Sequence, residues 1–114
     1  MKFKFLRHET QEYSLYKEIN TGKTWIDGKA VYRSTFNITP GQTIELNASI
    51  ISYVSITGFV ILDGVFIQNL PFISGIGDII CSATIERNVL KLENSSGYDK
   101  RLNAFVSVEY TKSS

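Results

Sequence analysis

The chain has 114 residues, of which 43% are hydrophobic and 20% are charged, and its formal net charge is +1. This balance excludes the highly charged, apolar-poor composition of disordered chains and the strongly basic composition of nucleic-acid binders. A chain of this length forms one hydrophobic core, so we predict a single domain over residues 1–114.

The N-terminal stretch, Met1 to His8, alternates Phe and Leu with Lys and Arg and lacks the continuous apolar run of a signal peptide. We therefore expect synthesis in a cytoplasm, with residues 1–12 forming an arm or a first strand. The segment from Glu9 to Ile19 has two interpretations: a short helix that ends at Asn20-Thr21-Gly22, or extended chain that leads into the first hairpin.

The first hairpin is predicted around Asp27-Gly28, which follows Trp25 and precedes the alternating run that contains Tyr32. An Asp-Gly pair between strand-forming residues favours a type I′ turn, because glycine adopts positive φ without steric strain. We expect Trp25, the only tryptophan, to pack against this hairpin rather than to bind a ligand.

Alternation with a period of two residues is the main pattern in the rest of the chain and predicts strands that are buried on one face. The apolar members are Tyr32, Phe36 and Ile38; Ile44, Leu46 and Ala48; Cys81, Ala83 and Ile85; and Ala104, Val106, Val108 and Tyr110. Turn-forming residues separate the runs, and Arg87-Asn88 suits a two-residue hairpin loop. We predict an all-β fold, an antiparallel β-sandwich of jelly-roll type.

The middle of the chain, from Ile50 to Ile80, is richer in apolar residues than alternation requires. The stretch from Ala48 to Ile67 is interrupted by serine, glycine and aspartate, so strands are favoured over a membrane span. Two explanations remain for the surplus: strands buried on both faces, or an interface between subunits that contains Phe59, Phe66 and Phe72.

No pattern in the sequence indicates catalysis, a metal site or a cofactor. His8 and Cys81 are the only residues of their kinds, which leaves no catalytic triad and no cysteine-rich metal site. Four aspartates lie beside turns, where their side chains accept hydrogen bonds from local amides; they are Asp27, Asp63, Asp78 and Asp99. We predict a protein without catalytic residues, metal ligands or cofactor, which neither binds nucleic acid nor inserts into membranes.

Two stretches carry a resemblance to a known family. Tyr13-Ser14 with the run GKTWIDGKAVYR, residues 22–33, and the run AFVSVEYTK, residues 104–112, resemble the start and end of a domain of bacteriophage and prophage tail-fibre and minor structural proteins. Ala30 departs from that pattern, which usually has proline there. The resemblance implies a virion protein made in a bacterial host, either an excised fibre domain or a short stand-alone protein, that forms a homotrimer with other virion proteins as partners.

The resemblance leads to two main functional hypotheses. In the first, the chain is the head of a tail fibre or spike that contacts a host cell-surface glycan through the loop Asn94 to Arg101. Tyr98 would stack on sugar rings, and Asp99, Lys100 and Arg101 would make polar contacts. In the second, the chain is an assembly, collar or capsid-decoration protein without a receptor. A third hypothesis, an enzyme acting on surface polysaccharide, is the least favoured because the domain is small.

Overall fold

The structure is a computed structural model that describes residues 13–62, 64, 66–73, 80–94 and 102–113. These residues form strands and no helix, so the predicted all-β class is confirmed. The strands are β1 (Ile19–Thr24), β2 (Ala30–Ile38), β3 (Thr43–Glu45), β4 (Ile50–Leu62), β5 (Phe66–Asn69), β6 (Phe72–Ile73), β7 (Ile80–Glu86), β8 (Val89–Asn94) and β9 (Leu102–Lys112).

Two antiparallel sheets make up the sandwich. One sheet has five strands in the order β1-β2-β9-β4-β5, and the other has four in the order β3-β8-β7-β6. β2 pairs with β9 in the first sheet and β3 pairs with β8 in the second, so the consecutive strands β2 and β3 lie in different sheets, as do β8 and β9. This pair of antiparallel sheets confirms the predicted antiparallel β-sandwich.

The core lies between the sheets and is built from both. Its fully buried members are Ile38, Val60, Cys81, Leu90, Leu92, Leu102, Ala104, Val106, Val108 and Tyr110. The four apolar residues predicted to share one face of the last strand all belong to this set. Alternation therefore identified the inward face of β9 correctly, because successive side chains of a strand point to opposite faces of the sheet.

The prediction that β9 is buried on one face only is wrong. Its polar residues Ser107 and Glu109 are 8% exposed, and Thr111 is fully buried. The reason is the position of β9 between β2 and β4, where Lys23 reaches Glu109 across its outer face. Glu109 and Ser107 have hydrogen-bond partners on this face, whereas the buried Thr111 hydroxyl has none in the described structure.

The hairpin predicted at Asp27-Gly28 joins β1 to β2, but its turn differs from the predicted type. Gly28 has a φ of 88°, Asp27 has no positive φ, and the Gly28 amide donates to the Trp25 carbonyl. The Trp25 amide in turn donates to the Lys29 carbonyl. The loop therefore has three residues, Ile26 to Gly28, and only its glycine adopts the left-handed conformation.

The hairpin predicted at Arg87-Asn88 has the expected geometry. Arg87 and Asn88 have φ values of 53° and 64°, and β7 pairs with β8 up to the Glu86–Val89 pair beside the turn. Positive φ at both central residues is the property of a type I′ turn, whose twist matches that of the flanking strands.

The segment before β1 forms no helix, so the helical interpretation is wrong for Tyr13 to Ile19; Glu9 to Glu12 lie outside the described residues. Leu15 forms a bridge with Thr35 of β2, and the Tyr16 amide donates to the Thr35 carbonyl at 2.8 Å. The chain thus continues along the edge of β2 before it enters β1.

Candidate functional site

A cluster of charged side chains lies on the outer face of the five-stranded sheet. Glu109 accepts from Lys23 at 2.8 Å through Oε1 and pairs with Arg33 at 2.8 Å through Oε2. Burial by itself would raise the pKa of Glu109, but the hydrogen bonds and positive charges of Lys23 and Arg33 lower it below its ordinary value. The cluster therefore keeps the Glu109 carboxylate charged although little water reaches this part of the sheet face.

The Arg33 side chain is 4% exposed and links this cluster to the segment before β1. Its guanidinium carbon lies 4.5 Å from the centre of the Tyr13 ring. A cation over an aromatic face is attracted by the electron-rich ring, and the attraction grows when water is excluded. Tyr13 is thereby held over β2, although 56% of its surface is exposed.

Beside the cluster, a groove of about 460 Å³ opens on the same outer face. Its base contains the stacked rings of Phe59 on β4 and Phe105 on β9, whose centres lie 5.4 Å apart. Tyr13 and Leu15 form one side of the groove, and Leu15 is 50% exposed. The groove is therefore mainly apolar and accessible from outside.

Gly58 brings β4 and β9 close together beneath this groove. A Cβ atom added to Gly58 would lie 2.5 Å from the Phe105 carbonyl oxygen and 3.2 Å from the Val106 Cα. Both atoms belong to the backbone of β9, which would have to move to admit a side chain. Glycine is therefore required at this position by space rather than by backbone conformation.

The polar partners in this groove are matched to each other. Thr35 and Ser107 line it, and their hydroxyl oxygens lie 2.8 Å apart in a buried hydrogen bond. One of the two hydroxyls donates to the other, so both oxygens have a partner within the protein. The groove is thus chemically suited to an apolar side chain from a protein neighbour.

The two residues of the predicted hairpin that carry aromatic rings have different surroundings. Trp25 is half-buried next to the turn. Tyr32 stacks on Tyr110 with ring centres 6.4 Å apart, and the Lys112 ammonium lies 4.3 Å from the Tyr32 ring centre. The structure thus gives Tyr32 a packing role between the first hairpin and the last strand.

The turn aspartate also has the expected local role. The Asp27 side chain accepts a hydrogen bond from the Lys29 amide at 3.0 Å. Asp63, Asp78 and Asp99 lie outside the described residues, as does His8. Within the described ranges, no group of His, Cys, Asp and Glu side chains is arranged to hold a metal ion.

The predicted ligand-binding residues Tyr98, Asp99, Lys100 and Arg101 all lie outside the described residues. The three predicted interface residues lie on different strands. Phe59 is on β4 and Phe66 on the neighbouring β5, whereas Phe72 is on β6 in the other sheet. Of these three, Phe59 is the one that lines the groove.

Sequence reasoning missed the groove partners Tyr13, Leu15 and Phe105 and the cluster of Lys23, Arg33 and Glu109. One signal could have found the cluster: Lys23 and Arg33 lie in the first run of the family-like pattern and Glu109 in the second. Opposite charges in two distant motif segments are a reason to expect that the segments pair.

Comparison of the chain with protein-family models, with curated proteins and with solved structures finds no match. The search for a membrane-crossing helix, made over the described part of the chain, also finds none.

Proposed function

We propose that this chain is a non-enzymatic structural module of a bacteriophage virion, the head of a fibre or spike that assembles as a homotrimer and contacts the bacterial surface. The observation that carries the proposal is the exposed apolar groove on the five-stranded sheet, which is suited to a second copy of the chain. Contiguous apolar surface on a small soluble domain usually marks a contact with another protein.

The position of the family-like motifs supports this proposal. The first run supplies the end of β1, the turn and the start of β2, and the second run supplies most of β9. These strands are neighbours, with Tyr32 opposite Tyr110 and Arg33 opposite Glu109. The residues that resemble the virion family therefore form one continuous patch, which is a reason to treat the two runs as a single motif.

The trimer is tested by the molar mass in solution, measured by sedimentation equilibrium at micromolar concentration. We expect a species with three times the 12.9 kDa mass of one chain. Leu15→Lys places a charge in the groove and is expected to give single chains, because an unpaired charge disfavours an apolar contact. Since Leu15 is 50% exposed, this change leaves the core intact.

Ile26→Lys is the matched control for this experiment. Ile26 is 89% exposed at the tip of the first hairpin, outside the groove, so this variant is expected to keep the wild-type mass. A wild-type protein that sediments as a single chain would refute the trimer, and so would a trimer that is unaffected by Leu15→Lys.

The alternative is an assembly protein with no receptor, and the apolar character of the groove favours it to the same degree, because a protein neighbour alone would satisfy this surface. Binding of the purified trimer to an array of bacterial surface glycans separates the two. Retention on the array supports the fibre-head role, whereas a trimer that binds virion particles but no glycan supports the assembly role.

A further inference from the structure

A second cavity, of about 230 Å³, lies on the other side of β2, at the side of the sandwich where β3 and β4 are joined. Its volume is below the roughly 300–1,000 Å³ that hold drug-sized ligands, so it has room for about one small ring. It differs from the apolar groove because hydrogen-bonded polar groups such as Glu18 and Ser34 line it together with Tyr16, Phe36, Leu46 and Ile50.

The polar residues of the lining are connected by a chain of hydrogen bonds that runs from β2 through β9 to the segment before β1. The Tyr110 hydroxyl donates to Glu18 Oε1 at 2.6 Å, so the Ser34 hydroxyl, 2.7 Å from the Tyr110 oxygen, must be the donor in that contact. Burial and the bond to Glu18 both raise the pKa of Tyr110, so its proton is held.

Glu18 is the last residue of this chain, and its carboxylate can accept more hydrogen bonds than it receives there. Its second oxygen accepts from Lys112 Nζ at 2.5 Å, so each oxygen has one partner in the described structure. A carboxylate has about four acceptor positions. Glu18 is half-buried, and it can therefore accept further hydrogen bonds from a ligand in the cavity.

The aromatic part of the lining includes Tyr16, whose ring is held in place although the residue is 60% exposed. Its hydroxyl donates to the Asn37 carbonyl at 2.7 Å, and its ring meets Phe36 edge to face at 5.7 Å. Tyr16 also has a φ of 57°, which is uncommon for a bulky residue. A ring fixed in this way loses little conformational entropy when a ligand stacks on it.

The rim of the cavity carries Glu45 and Asn47, both exposed. The Asn47 side-chain oxygen accepts from the Ser49 amide at 2.8 Å, which holds the side chain and leaves its NH₂ group as a donor. Glu45 adds an acceptor. Glu45 and Asn47 therefore add an acceptor and a donor to the aromatic and polar groups of the lining.

We infer that this cavity binds one pyranose ring of a neutral saccharide. A pyranose has a C–H face that packs on an aromatic ring and a rim of hydroxyl groups that donate to carboxylates. Tyr16 and Phe36 fit the first property, and Glu18 and Glu45 fit the second. The Asn47 NH₂ group can donate to a hydroxyl oxygen of the ring. The inference rests on the proposed contact with the bacterial surface only for its biological setting, since the cavity is complete within one chain.

The experiment is a titration of the ¹⁵N-labelled protein with neutral methyl glycosides: the glucoside, galactoside, rhamnoside and N-acetylglucosaminide. Each is added to about 50 mM, which fills most of a site with a Kd of about 1 mM. At least one glycoside is expected to shift the backbone amides of Tyr16, Glu45 and Asn47. No shift at these amides with any of the four would overturn the inference.

Two variants test the assigned roles. Tyr16→Ala removes the stacking ring, and Glu45→Gln removes the rim acceptor charge; each is expected to weaken binding about tenfold or more. Glu45 is exposed, so this second variant keeps the fold if Tyr16→Ala does not. Glu93→Gln is the matched control, because Glu93 is an exposed carboxylate on the same sheet outside the cavity, and it is expected to bind like the wild type.

Three outcomes show whether this inference or the proposed function fails. If ethylammonium shifts the cavity amides and the glycosides do not, the acidic rim selects cations and the inference fails. If a glycoside binds in the cavity while the trimer binds no bacterial glycan, the fibre-head role fails and the inference stands. If the trimer binds glycans while Tyr16→Ala and Glu45→Gln change nothing, the inference fails alone.

Discussion

Glu109 and Arg33 form a buried ion pair in the middle of the sheet, and each depends on the other. The Arg33 side chain is 4% exposed and that of Glu109 is 11% exposed, so water hydrates neither well. Removing one charge from such a pair leaves the other uncompensated, which is more damaging than losing both. Lys23 is the third member of the cluster, and because 37% of its side chain is exposed we expect it to contribute less to stability.

Arg33→Met is therefore expected to lower the free energy of unfolding by about 3–5 kcal/mol, because it leaves the Glu109 charge buried without its main partner. Lys23→Met is expected to lower it by about 1 kcal/mol or less, since exposed pairs contribute little. Urea unfolding followed by Trp25 fluorescence measures both. Equal losses in the two variants would show that the pair is not buried in solution.

The lowered pKa of Glu109 predicts a dependence of stability on pH. In the unfolded chain Glu109 titrates near its ordinary value of 4.5, and in the folded protein it titrates below that. The stabilisation is therefore fully present above about pH 4.5 and is lost as the pH falls through the lower, folded value. Comparison of wild type with Glu109→Gln by urea unfolding at pH 7 and pH 3 checks this: the difference between them should shrink at pH 3.

Two glycines impose different requirements. Gly58 has no room for a Cβ atom, so Gly58→Ala forces β9 to move and is expected to cost about 3 kcal/mol, the upper end for overpacking. Gly28 has open space but a φ of 88°, so Gly28→Ala is expected to cost about 1–2 kcal/mol through backbone strain alone. Gly28→Asn should recover part of that loss in urea unfolding, because asparagine tolerates this conformation, whereas no residue with a Cβ should rescue position 58.

At the scale of elements, the turn between β7 and β8 shows most clearly how local conformation shapes the fold. Arg87 and Asn88 both adopt positive φ. Asn88 also bonds to Tyr53 and to the Asn47 carbonyl, so this turn ties β4 and the β3–β4 connection to the second sheet. Asn88 is therefore more constrained than Arg87.

Arg87→Asn is expected to raise the free energy of unfolding by about 0.5 kcal/mol, because asparagine populates positive φ more readily than arginine. Arg87→Ile is expected to lower it by about 1 kcal/mol or more, since a β-branched residue fits this conformation poorly. Thermal unfolding followed by circular dichroism measures both changes. An unchanged midpoint in both variants would contradict a type I′ turn.

For the whole molecule, the packing of two sheets makes Cys81 a reporter of global opening. Cys81 lies on β7 with no exposed surface, and burial raises the pKa of its thiol. Both effects suppress reaction with thiol reagents, which requires an accessible thiolate.

Labelling of the native protein with iodoacetamide is expected to be about a thousandfold slower than in urea, as for a core group reached only by unfolding of a domain with ordinary stability. The rate should rise in Gly58→Ala about tenfold for each 1.4 kcal/mol of stability lost. Equally rapid labelling in the native and unfolded protein would show that the sheets do not close over the core.

The inward face of β9 and the positions of the turns at Gly28 and Arg87-Asn88 were predictable because they depend on near neighbours in the chain. Side-chain alternation follows from the pleat, which identified Ala104, Val106, Val108 and Tyr110 as one face. The turns at Gly28 and at Arg87-Asn88 follow from residues that tolerate positive φ. The turn type at Gly28 was not predictable, because the choice between two and three loop residues depends on how the flanking strands pair.

The amino-acid sequence by itself thus determined the all-β class, the strand faces and the hairpins, since these arise from interactions over a few residues. Only the tertiary structure decided that Glu109 would be buried with Arg33, 76 positions away, and that Phe59 would stack on Phe105 to form the groove. It also decided that the segment around Tyr16 would close one wall of a cavity. Such contacts depend on which strands become neighbours, and strand order is set by the packing of the whole chain rather than by any local period.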